Sequence, residues 1–181
     1  MRYLSILLLV SALYGCASPV NPIAGSTYWV EGVELELSGQ HEDFLSREAV
    51  RQRLVSGLSQ ELVAQNSMAT SKSTADFVVD VDVIYARNIQ NDKLTEFATG
   101  SVYLVNAAVG YEIKLRDQGG ASFKLKKNAQ TLYPHGVMHD LQSLMSMVSR
   151  SANKHTEDLY LAQVQKNIVG DLLAGTWHRS Q

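Results

Sequence analysis

The chain has 181 residues, 45% of them hydrophobic and 19% charged, with 16 Lys and Arg against 18 Asp and Glu for a formal net charge of −2. That length and apolar content suit one domain with a proper core, and the charge balance excludes the strongly basic surface that nucleic-acid binding needs. The single cysteine, Cys16, excludes a disulfide within the chain, so stability has to come from burial.

In chain order, Arg2 supplies a positive start and Leu4, Ile6, Leu7, Leu8, Leu9, Val10, Ala12 and Leu13 an apolar run. The run is far shorter than the roughly 20 apolar residues that span a bilayer, so residues 1–15 read as a signal peptide. No second long apolar run follows. The stretch closes on Leu13-Tyr14-Gly15-Cys16. It resembles the bacterial lipobox, with Leu, Gly and the obligatory Cys in place and Tyr14 larger than the usual small residue. The resemblance implies a diacylglycerol thioether on Cys16, cleavage before it, and a further palmitate-type chain on the freed amine. Two or three such chains hold a protein on a membrane where one does not. The alternative is an ordinary secreted protein whose Cys16 lies near the cut. Ala17 and Ser18 follow, where Asp after the cysteine would retain a lipoprotein in the inner membrane. The same resemblance therefore implies sorting to the outer membrane, on the periplasmic side. Loss of Arg2 with the signal leaves 15 basic and 18 acidic side chains, a balance of −3.

Residues 16–27 carry the lipidated cysteine and then Pro19, Pro22 and Gly25, the composition of a flexible tether. At full extension it reaches up to roughly 30 Å. A domain is expected over 28–175 and a frayed tail over 176–181. Tyr28 to Leu37 reads as a strand, with Val33, Leu35 and Leu37 alternating with Glu34 and Glu36. Ser38 to Asp43 is a polar connection. Ser46 is an N-cap with Glu48 in the first turn of a helix. Val50, Leu54, Leu58 and Leu62 form its apolar stripe, and Asn66 its stop.

Asp76 to Ile89 is a strand with Phe77, Val79, Val81, Val83 and Tyr85 on one face and Asp80, Asp82 and Ile84 on the other. Ser101 to Arg116 repeats the pattern, with Tyr103 to Leu115 at every second position inward and Glu112, Lys114 and Arg116 outward. Asp117-Gln118-Gly119-Gly120 is a hairpin turn. Ala121 to Tyr133 returns, with Phe123 and Leu125 inward and Lys124 and Lys126 outward. Met138 to Leu173 is helical, and the apolar phase slips near Asn153 to Tyr160, which predicts a kink or two helices.

The order is β-α-β-β-β-α. Strands with one apolar face need one cover, so the expectation is an α+β two-layer sandwich, with a mainly antiparallel sheet and the helices on one face. The other sheet face is then charged. Cross-strand ion pairs explain it, or a docking surface does. A lipobox followed by this order is similar to small envelope lipoproteins related in fold to the N-terminal domain of TolB. That group includes YajG-type lipoproteins, the lipopolysaccharide-transport lipoprotein, and accessory lipoproteins of polysaccharide and curli secretion. Cys16 is the only functional residue the resemblance carries over.

Candidate chemistry is sparse. His135 and His139 are four apart, the helical spacing of zinc ligands, with Asp140 or His155 as a third. Pro134 and Gly136 place His135 in a turn instead, so no metal is expected. Asp76, Asp80 and Asp82 alternate with apolar residues on a strand, unlike a calcium loop. Ser143, Ser146, Ser149 and Ser151 have no base at fixed spacing. Met138, Met145 and Met147 read as core filler. The expectation is a non-enzyme without cofactor that binds a protein partner in the envelope. One alternative is a small-molecule or lipid carrier, from the aromatic and Met content of the inner faces, Phe77, Tyr85, Tyr103, Tyr111, Phe123 and Met145. Another is a ring-forming subunit of a secretion apparatus.

Overall fold

The computed structural model describes residues 25–90, 103–132, 150–175 and 177–179. The signal peptide, Cys16, most of the tether, His135, His139, Asp140, Met138, Met145, Met147, Ser143, Ser146 and Ser149 lie outside the described residues. In chain order the elements are β1 (Tyr28–Ser38), α1 (Arg47–Ala64), a 3-10 turn (Lys72–Thr74), β2 (Phe77–Gln90), β3 (Tyr103–Asp117), β4 (Ser122–Leu132), α2 (Arg150–Ala174) and β5 (His178–Arg179). The sheet runs β1-β2-β3-β4-β5. β1 and β2 are parallel, joined through α1, and every other pair is antiparallel. The apolar stripes of α1 and α2 and one face of the strands form one core cluster. The protein is an α+β two-layer sandwich with both helices on one face of the sheet.

Local chemistry accounts for the first helix. Ser46 is the N-cap and its hydroxyl accepts from Ala49 N at 3.2 Å. The stripe Val50, Leu54, Leu58 and Leu62 is buried. At the far end Asn66 turns left-handed at φ 54. Ser67 N then donates to Leu62 O and Asn66 N to Val63 O, which satisfies the last carbonyls.

Three bulges tune which residues face the helices. In β1 the register shifts between Val30 and Gly32, so Tyr28 and Val30 are buried together with Val33 and Leu37 despite the change of parity. A second shift at Asn88 and Ile89 brings Leu104 inward at 6% exposure, a position of opposite parity to Ala107 and Val109. The third, in β4 opposite Gly110, is permitted by that glycine. A Cβ on Gly110 would lie 3.2 Å from Ala129 N and 3.3 Å from its Cα.

Two sequence expectations are corrected. Asn153 to Tyr160 do not divide two helices, because α2 is continuous from Arg150 to Ala174. The slip in apolar phase arises because polar side chains occupy its inward face there, with Asn153 and Glu157 at 0% exposure and Thr156 at 7%. The tail 176–181 was expected to fray. Instead Trp177 is 1% exposed and His178 and Arg179 pair with Lys124 and Phe123 of β4. Burying a large indole outweighs the ordering of a few residues.

Candidate functional site

Position 87 continues the inward series Val79, Val81, Val83, Tyr85 of β2, but it is Arg87. Position 157 lies one turn before Leu161 on the inward stripe of α2, but it is Glu157. The two meet inside the sandwich. Arg87 Nε donates to Glu157 Oε1 at 2.6 Å, with the side chains 1% and 0% exposed. Arg87 Nη2 donates to Leu45 O at 2.5 Å and Nη1 to Gly39 O at 3.4 Å. Leu45 N donates to Glu157 Oε2 at 2.8 Å. The guanidinium also lies 5.4 Å from the centre of the Phe44 ring. A buried charge has to be paired and hydrogen-bonded, and this pair is.

The node is also a clamp. Gly39, Phe44 and Leu45 belong to the β1–α1 connection, Arg87 to β2 and Glu157 to α2. Ser38 to Asp43 reads as a polar connection, and its last residue Asp43 is 1% exposed, followed by Phe44 at 3% and Leu45 at 8%. Gly39 has φ +73, and a Cβ there would lie 2.7 Å from Arg87 O, so only glycine fits. Burial pushes the Glu157 carboxyl above its usual range, against the opposing pull of Arg87 and of the Leu45 N–H. Burial, with Glu157 close by, raises the Tyr85 hydroxyl well above its ordinary value. A recess of about 610 Å³ opens beside the clamp, lined by His41, Phe44, Arg47, Arg87 and Lys154 among others. Arg87 and Glu157 bond to each other and to the backbone of Gly39 and Leu45, so the node shapes the loop.

The charged outer face of the sheet is the second feature. Register sets Asp82 opposite Glu112 and Lys114 opposite Lys124, two like-charge juxtapositions. The ion pairs run diagonally and relieve both. Lys114 reaches Asp82 at 2.5 Å, Arg116 reaches Asp80 at 2.8 Å and Lys124 reaches Glu112 at 3.8 Å. Glu31 lies between Lys72 and Arg116, and these partners hold its carboxyl below the usual range. Of the acids Asp76, Asp80 and Asp82, the last two are in this lattice. Asp76 instead ties down the start of β1, accepting from Thr27 N at 2.7 Å and Thr27 Oγ1 at 2.8 Å.

Of the inner-face aromatics, Phe77, Tyr85, Tyr111 and Phe123 are packing elements, and the Tyr103 side chain lies outside the described residues. Tyr85 is fully buried, Phe77 stacks on Tyr28 at 5.8 Å and meets Phe123 edge-on at 6.2 Å, and Tyr111 donates its hydroxyl to Asp171 at 2.5 Å. His155 is exposed on α2. Among the described residues no three His, Cys, Asp or Glu side chains are grouped so as to hold a metal ion, and no helix is long and apolar enough to cross a membrane. Arg87 and Glu157 escaped the sequence reading. The signal for them was an ionisable residue of each sign, set in phase with a buried face.

No protein-family model matches the chain, and no curated protein matches it. Among solved structures it is similar to a minor lipoprotein from Acinetobacter baumannii, at 13% identity and a TM-score of 0.36 over 82% of this chain and 97% of that one. It is also similar to a putative neuraminyllactose-binding hemagglutinin homolog from Helicobacter pylori, at 13% identity and a TM-score of 0.32 over 84% of this chain and 86% of that one.

Proposed function

We propose that this chain is a lipid-anchored envelope lipoprotein, held by acyl chains on Cys16 at the periplasmic face of the outer membrane. It acts there without catalysis, as an accessory factor that binds a protein partner. The observation that carries the reading is Leu13-Tyr14-Gly15-Cys16, a lipobox-like end to a short apolar run on the only cysteine of the chain, followed by Ala17-Ser18 rather than Asp. The arrangement downstream supports it. A tether-like segment leads to a sandwich whose buried ionic node serves to hold a loop.

The test is envelope fractionation of wild type beside Cys16→Ser, with metabolic labelling by an alkyne-tagged palmitate and crosslinking in intact cells. Label on wild type alone, flotation of wild type with outer membrane, release of Cys16→Ser, and one enriched crosslinked partner are the expected results. Identical behaviour of the two proteins would overturn the anchor. Crosslinks to abundant background proteins alone would overturn the partner.

A further inference from the structure

We infer that the free edge of β1 over Val33–Ser38 is the docking site, and that it accepts a partner strand alternating basic and apolar residues. This deepens the partner-binding reading above and rests on it.

β1 lies at the end of the sheet, and β2 is its one strand partner among the described residues. Among those residues its outer edge is covered at one point. Tyr28 N donates to Ser67 O at 2.8 Å, and Ala69 N donates to Tyr28 O at 2.9 Å. The bulge between Val30 and Gly32 follows. From Val33 to Ser38, no described residue hydrogen-bonds the backbone groups that point away from β2. Six residues of strand offer about 20 Å of edge, enough for main-chain pairing to hold an added strand.

The side chains state what that strand should carry. Glu34 and Glu36 are exposed on the outer face, and no described cation lies within 4 Å of either, although Glu34 lies in the field of Lys114, which Asp82 already engages. Glu31, on the same strand, has two cation partners. Ile84, the register partner of Glu36, is 53% exposed and offers apolar surface to the methylene stem of a lysine. On the helix side, Val33 and Leu37 are buried while Leu35 is only half-buried. Arg51 of α1 lines a recess with Gly32, Val33 and Glu34 of β1 and with Asp80, Asp82 and Lys114 of the outer face, so that flank of the helix reaches the edge, with half-buried Val55 one turn further on. Inward residues of an added strand would meet Leu35 and Val55 and should be apolar. Outward residues would meet Glu34 and Glu36 and should be basic.

A second copy of this chain is a poor occupant. Antiparallel pairing of two β1 edges about Leu35 sets Glu34 of one copy opposite Glu36 of the other, twice, and like charges directly opposite are unfavourable.

The test uses the full lipidated protein in detergent micelles and two acetylated hexapeptides, one alternating lysine with valine and one alternating glutamate with valine. Hydrogen exchange at Val33–Ser38 should slow with the lysine peptide, and that peptide should bind about tenfold or more tightly than its glutamate counterpart. Glu34→Lys with Glu36→Lys should reverse the preference. Glu34→Gln with Glu36→Gln should abolish it and serves as the milder variant for folding. Equal affinities, protection confined to other strands, or concentration-dependent protection without peptide would each overturn the inference, the last in favour of a second copy. In cells, a photo-crosslinking residue at Glu36 should capture the partner. Capture only from Lys126, on β4 away from the β1 edge, would overturn the edge and leave the partner-binding reading standing. Capture from neither would overturn both.

Discussion

Arg87 of β2 donates through Nε to Oε1 of Glu157 of α2 at 2.6 Å, with the side chains 1% and 0% exposed. The pair links the sheet to the second helix and, through Leu45 N and O, fixes the β1–α1 connection between them.

Removing one partner leaves the other charge buried alone. Arg87→Leu or Glu157→Leu is therefore expected to cost about 3–5 kcal/mol in urea denaturation. The double variant should lose less than the sum of the two, by about 0.5–3 kcal/mol of coupling. Additive losses would mean that the two groups act independently.

The connection depends on Gly39 for the same reason. Gly39→Ala adds a Cβ against Arg87 O at a left-handed φ, and is expected to destabilise by about 1–3 kcal/mol. Exchange of the Leu45 amide should accelerate in this variant, since its acceptor Glu157 shifts with Arg87.

Asp76 sets part of the acid response. The Thr27 N–H and hydroxyl hold its carboxyl below the ordinary value of 3.8. A folded pKa below the unfolded one means that the unfolded chain binds the proton more tightly. The stabilisation is therefore present above the unfolded value and is lost as pH falls through the folded one. Asp76→Asn should flatten the acid limb of the stability profile below about pH 4 and leave its slope near neutrality unchanged. An unaltered acid limb would show that Thr27 does not favour the charged form.

Trp177 anchors the C-terminal strand. Trp177→Ala is expected to cost about 3–5 kcal/mol. The blue-shifted component of tryptophan emission should vanish, leaving that of half-buried Trp29. A loss near zero would mean that β5 is not held by this side chain.

The outer ion lattice should matter little to stability. Lys114→Ala is expected to change it by about 0–1 kcal/mol at low salt, and by less as salt rises. A larger, salt-insensitive loss would assign Lys114 a packing role.

The sequence by itself determined the order of the elements from β1 to α2, the two-layer architecture, the Ser46 cap, the Asn66 stop and the segregation of charge to one sheet face. Each follows from a period of two or near 3.6, or from a single residue acting on its neighbours, and such effects are visible within a few positions. The lipobox-like stretch ending at Cys16 is legible in the same local way. Only the tertiary structure decided that Arg87 and Glu157 meet, that the connection carrying Phe44 and Leu45 is buried over them, and that Trp177 draws the tail onto β4. It also decided that the ion pairs run diagonally and that β1 stands at an edge of the sheet. Each of these joins residues far apart in the chain. A charge in phase with an apolar stripe reads as a defect in the pattern until its partner is placed beside it, because pairing is what makes its burial tolerable.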